Sequence, residues 1–199
     1  GMELPEPEEL EVIDRPTVRY PEPKRLPYHM KSGQLVPQMA PFGCGQRYNI
    51  TGLIHDETGF PTNSTEEAAK LMDRLMRKIS DNYDDIVQCE QVSLDDAEMV
   101  IVCYGGTMRA ARSAMEQARA SGKKVGIFRP ITIWPFPERE LREVLGKAKR
   151  VLVVEHNGGQ LLLEIERIVK GACPVDFIGR LNGTVITPQD ILTKLEEVE

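Results

Sequence analysis

The 199-residue sequence lacks several features that would narrow its chemistry at once. Its four cysteines, Cys44, Cys89, Cys103 and Cys173, contain no Cys-x-x-Cys pair. That argues against a zinc or iron–sulfur site and for free thiols, Cys103 being a small core residue at a strand end. Long hydrophobic runs are missing too. The apolar stretches, such as Met99–Tyr104, are far too short to span a bilayer. No secretory signal is read, so no membrane is expected and the cytoplasm is the expected compartment. Basic patches are absent: 25 Lys and Arg are mixed among 31 Asp and Glu, a net charge of −6. Nothing in that mixture argues for nucleic acid. No Gly-x-Gly-x-x-Gly stands after a strand, and no Walker lysine follows a glycine turn.

What is present is concentrated between Ala97 and Gln160. Three short, β-branched runs, Met99–Cys103, Lys124–Arg129 and Arg150–Val154, are almost unbroken by polar residues. Such runs suit strands buried on both faces of a parallel sheet. Helical spacing fills the gaps. Ala110, Ala111, Ala114, Met115 and Ala118 recur every three or four residues, and Gly122 stands where a C-cap glycine belongs. Leu141, Val144 and Leu145 repeat the pattern, as do Leu161, Leu162, Ile165, Ile168 and Val169 before Gly171. Pro174–Gly179 reads as a last strand, and Pro188 opens a final helix at its first position. Alternating strands and helices predict right-handed βαβ units. The expected fold is α/β: three layers around a mostly parallel five-stranded sheet, with Ile86–Val92 leading in as an edge strand.

The first part of the chain reads differently. Residues 1–41 hold eight of the 14 prolines, which excludes regular helix or central strand and predicts an extended course. Residues 1–38 are expected to be an interdomain connector that buries little. Residues 39–84 are expected to be a loop-rich segment and a helix packed on the core, and 85–199 the α/β domain. Within 39–61, Tyr48–Thr51 could form a short strand. His55-Asp56-Glu57 could suggest a metal or proton transfer, but three consecutive side chains do not converge. A polar turn held by its own hydrogen bonds is the expected reading. Ser64-Thr65-Glu66-Glu67 opens a helix whose stripe, Ala68, Leu71, Met72, Leu75, Met76 and Ile79, reads as core.

Two glycine turns attract chemical readings. Tyr104-Gly105-Gly106-Thr107 could hold a phosphate at a helix N-terminus, or could be a tight turn with Thr107 as N-cap. Glu155-His156-Asn157-Gly158-Gly159-Gln160 places an acid beside a histidine, but no nucleophile or metal motif accompanies them. A turn with Asn157 as N-cap is expected. The single tryptophan lies in Ile131–Pro137, a proline-stiffened loop whose Pro137 suits position N1 of a helix. Tyr104, Trp134, Phe136, Glu155, Asn157 and Gln160 all follow parallel strands and are expected to cluster at the carboxyl edge of the sheet. That mixture has an interface composition and no nucleophile–base pair.

Several segments together carry a resemblance. They are Met39-Ala40-Pro41-Phe42-Gly43, Tyr48–Gly52 with His55-Asp56-Glu57-Thr58-Gly59, Tyr104-Gly105-Gly106, Thr132–Pro137 and Val154–Gln160. The chain resembles the α subunit of 2-oxoacid:ferredoxin oxidoreductases, nearest the 2-oxoglutarate type. It resembles the part after the pyrimidine-binding domain, including core domain II, which is similar to the transketolase C-terminal domain. The resemblance implies a parent complex that oxidatively decarboxylates a 2-oxoacid to an acyl-CoA. It implies thiamine diphosphate, magnesium, an iron–sulfur cluster and coenzyme A for that complex. The implied partners are the remainder of the α subunit, a thiamine-diphosphate-binding β subunit and ferredoxin. This sequence has no Gly-Asp-Gly motif and no cysteine cluster. No catalytic, cofactor-binding or metal residue is therefore assigned, and the chain is not expected to be active alone. The expected role is structural, in assembly. The alternative is an independent nucleotide- or anion-binding module using the turns at 105–106 and 158–159.

Overall fold

The computed structural model describes residues 4–14, 16–18 and 25–198. The chain forms two compact units, Gly1–Asn82 and Tyr83–Glu199.

The second unit is the expected three-layer α/β fold. A one-turn helix α2 (Tyr83–Ile86) leads into β1 (Cys89–Val92). Then β2 (Met99–Cys103), α3 (Thr107–Ala120), β3 (Val125–Pro130), α4 (Glu138–Leu145) and β4 (Arg150–Glu155) alternate. The unit closes with α5 (Gln160–Val169), β5 (Val175–Gly179) and α6 (Pro188–Glu197). Strand order is β1-β3-β2-β4-β5. All pairs are parallel except β1 with β3, where Glu90 faces Arg129.

Side chains of β2 alternate between two cores, as the two-residue period of a strand requires. Ile101 and Cys103 join Ile127, Leu152 and Val154 under α3 and α6. Val100 and Val102 join Phe128, Val151 and Val153 under α4 and α5. Burial on both faces explains why these strands read as continuous apolar runs.

The connection from β2 to β3 runs through α3 on one face. The connection from β4 to β5 runs the other way through α5 on the opposite face. The carboxyl ends of neighbouring β2 and β4 therefore flank a topological switch point, where open α/β sheets place their ligands.

In the first unit, α1 (Thr65–Ser80) starts at Ser64, whose hydroxyl accepts from the Glu67 N–H at 3.3 Å. Its apolar stripe corrects an expectation: no residue of α1 is buried, and Met72, Leu75 and Met76 are exposed. Periodicity identifies a face but not a cover for it. Residues 48–51 form no strand. The proline-rich lead also divides. Residues 4–14 are exposed throughout, with one 3-10 turn at Pro7–Glu9. From residue 25 onward the lead is tied down. Pro27 is buried, the Tyr28 N–H donates to Glu57 O at 3.1 Å, and Arg74 donates to Leu35 O at 3.1 Å. Pro21 and Pro23 lie outside the described residues.

Candidate functional site

The turn at His55–Gly59 is held as expected by its own bonds. Asp56 accepts from the Thr58 N–H at 2.8 Å and from the Thr58 hydroxyl. The hydroxyl bond, the backbone bond and nearby His55 hold the Asp56 carboxyl below the usual aspartate range. Tyr28 stacks on His55 at 3.8 Å between ring centres. Gly59 has φ +84°, and a β-carbon there would lie 2.1 Å from Asn49 O. Only glycine fits.

The carboxyl edge of the sheet is built from the loops after β2, β3 and β4. Tyr104, Trp134, Phe136 and Gln160 line one groove of about 610 Å³, so four of the six expected residues come together. Asn157 is joined to them: its Nδ2 donates to the Tyr104 hydroxyl at 2.9 Å and so links the loops after β2 and β4. Trp134 is 69 % exposed, with Ile131 and Ile133 exposed beside it. Phe136 is 9 % exposed and belongs to the core under the groove.

Glu155 stands apart. It is 0 % exposed. Its two carboxylate oxygens accept from the N–H groups of Leu161 and Leu162, each at 3.0 Å. Asn157 Oδ1 accepts from the Gly159 and Gln160 N–H groups at 2.8 and 3.2 Å. Together they satisfy the free donors at the start of α5, as a helix N-terminus requires. Glu155 is thus a buried cap rather than an acid–base partner of His156. Formally the α5 N-cap is Gly159, with Asn157 two residues ahead. Offsets of one residue occur elsewhere. Thr107 begins α3 after an N-cap Gly106, and Pro137 is the N-cap of α4 rather than its first residue.

The groove has a polar flank that the sequence reading missed. The Tyr83 hydroxyl donates to Glu140 Oε2 at 2.8 Å, and Arg139 lies over its ring at 4.9 Å. Burial, and then the Glu140 carboxylate, push the Tyr83 phenol up to about 12. Arg167 pairs with Glu164 at 2.6 Å and also with Glu138. Arg167 and then Arg142 hold the Glu138 carboxyl below its usual range. Tyr83 precedes the sheet by six residues, and no spacing rule connects it to the loop after β3.

The Cys103 thiol is fully buried, and desolvation pushes it up to about 12, which makes it inert at neutral pH. Among the described residues no group of three or more His, Cys, Asp or Glu is placed to hold a metal ion. The described residues therefore offer no cysteine cluster of the kind an iron–sulfur site needs. No described helix is long and apolar enough to cross a membrane.

Comparisons with known proteins agree with this architecture. Residues 97–191 match the family described as pyruvate:ferredoxin oxidoreductase core domain II. The 2-oxoglutarate synthase subunit KorA of Methanothermobacter marburgensis is 36% identical over 190 residues, which cover 95% of this chain and 50% of that protein. KorA of Methanocaldococcus jannaschii is 39% identical over 182 residues, covering 92% and 48%. A solved 2-oxoglutarate:ferredoxin oxidoreductase from Magnetococcus marinus carries bound 2-oxoglutarate, coenzyme A and succinyl-CoA. It superposes with a TM-score of 0.82 at 25% identity, over 97% of this chain and 34% of that one. The chain spans about half the length of the curated relatives it matches.

Proposed function

The chain is a relative of the α subunits of 2-oxoacid:ferredoxin oxidoreductases, and from that premise we propose that it is a non-catalytic assembly domain of such an enzyme. The parent complex would oxidatively decarboxylate a 2-oxoacid, 2-oxoglutarate by its similarity to the KorA subunits, to an acyl-CoA in the cytoplasm. Thiamine diphosphate would supply carbanion stabilisation, and an iron–sulfur cluster would carry electrons to ferredoxin. Both would sit in partner chains, a β subunit for the first, since no group of three or more His, Cys, Asp or Glu among the described residues is placed to hold a metal ion.

One observation carries the proposal. The carboxyl edge presents an aromatic groove with Trp134 69 % exposed. No nucleophile–base pair stands in it. A large exposed aromatic flanked by polar groups is the composition of an interface anchor. The occupant proposed for this edge is the remainder of the α subunit and the β subunit. Calorimetry tests the non-catalytic half of the reading. The 199-residue chain should show no micromolar, magnesium-dependent binding of thiamine diphosphate, and no turnover of 2-oxoglutarate. Micromolar binding of thiamine diphosphate would overturn it.

A further inference from the structure

The other side of the same edge holds a second cavity, of about 940 Å³, between the loops after β2 and β4. It lies at the topological switch point, and no Asp or Glu lines it although the chain as a whole carries −6. Arg109, Arg112 and Arg129 do. Arg112 and Arg129 share one carboxylate, Glu90, at 2.6 and 3.0 Å. Arg109 has no partner among the described residues. Three guanidiniums thus face a single carboxylate, and two positive charges are left unmatched. Arg129 Nε is buried with no hydrogen-bond partner.

The cavity floor is the start of α3. Here the two glycine turns differ physically. At α5 the first-turn donors are taken by Asn157 and Glu155. At α3 there is no side-chain cap, and the Gly106 and Thr107 N–H groups find no acceptor among the described residues. Gly105 has φ +59°, and its α-carbon faces open space. Thr107 is 6 % exposed and lines the cavity, and its hydroxyl makes no hydrogen bond to any described residue. The independent sign is Arg129 Nε, because a buried donor is ordinarily satisfied and a missing acceptor is implied. Where α5 has its own carboxylate, α3 has an open anion position ringed by arginines.

We propose that this cavity binds the phosphate or diphosphate group of a small phosphorylated ligand. The oxygens would accept from the Gly106 and Thr107 N–H groups and the Thr107 hydroxyl. Arg109 would close over them, and Arg112 and Arg129 would turn from Glu90. Arginine's fork of donors pairs bidentately with phosphate oxygens, and the uncapped helix N-terminus adds N–H donors that suit the higher charge of a phosphate. The site stands independently of the assembly reading, because it uses the opposite side of the edge.

The test is calorimetry on the 199-residue chain with inorganic pyrophosphate, inorganic phosphate, adenosine diphosphate and citrate as probes. Pyrophosphate or the nucleotide should bind with a dissociation constant below about 1 mM and weaken as salt rises. Arg109→Gln removes an exposed, unpartnered group and should leave the melting temperature unchanged while weakening binding roughly tenfold or more. Thr107→Val should weaken it by about threefold to tenfold. Glu90→Gln should tighten it several-fold by releasing two arginines, a gain that misfolding cannot imitate. No heat with pyrophosphate or nucleotide at millimolar concentration overturns the proposal. So does binding that Arg109→Gln and Glu90→Gln leave unchanged, and so does citrate binding as tightly as pyrophosphate.

Discussion

Glu155 gives the sharpest test of how the edge is built. Its carboxylate is fully buried and accepts two N–H bonds of 3.0 Å at the start of α5. Hydrogen bonds to a charged group contribute about 1.5–3 kcal/mol each, and a buried donor left without a partner costs about 1–3 kcal/mol. Glu155→Gln keeps one acceptor but sets an NH2 group against a backbone N–H. The expected loss is about 2–3 kcal/mol. Glu155→Ala orphans both donors and opens a void, so about 3–5 kcal/mol is expected. Against a native stability of about 5–15 kcal/mol, either is a large share. Urea unfolding followed by far-UV circular dichroism measures the global effect. Amide exchange at Leu161 and Leu162 measures the local one, and both should accelerate in each variant. A Glu155→Gln protein with wild-type stability and unchanged exchange at these two amides would refute the capping account.

Four further outcomes follow from the geometry. Gly59→Ala should disrupt the loops of the first unit, since its β-carbon would sit 2.1 Å from Asn49 O; unchanged exchange at Thr58 and Gly59 would contradict this. Deleting residues 4–14 should leave the melting temperature within about 1 °C, because surface changes away from packed features are usually within ±0.5 kcal/mol; Tyr28→Ala should destabilise the first unit by removing the stack on His55. The Glu138 carboxyl is held low by Arg167 and Arg142, so its contribution is present above the unfolded value near pH 4.3 and lost as pH falls through the lower folded value. It is part-exposed, so the effect should stay below about 1 kcal/mol. Glu138→Gln should flatten the melting temperature between about pH 5 and 3, and an unchanged acid limb would contradict it.

The central strands were legible because burial on both faces leaves an unmistakable apolar run, as in Met99–Cys103 and Arg150–Val154. What covers a helix was not legible. The stripe of Thr65–Ser80 has the same periodicity as that of Thr107–Ala120, yet only the latter contributes buried residues. The clustering of Tyr104, Trp134, Phe136 and Gln160 followed from topology alone, since each comes after a parallel strand. Glu155 was legible in position but not in role, because its partners lie six and seven residues ahead. The basic cavity was the least readable. Arg109 and Arg112 lie one helical turn apart after a glycine pair, which is a signal. Arg129 joins them only because β3 lies beside β2.

The assembly account rests on Trp134, and one variant in the full-length subunit tests it. An exposed anchor adds little to folding, but truncating a central interface anchor typically costs about 2 kcal/mol or more of binding. Subunit association and melting temperature should be measured on the same Trp134→Ala protein. The account predicts a melting temperature close to wild type with association weakened about thirtyfold or more. A variant that melts well below wild type while its complex assembles normally would contradict it.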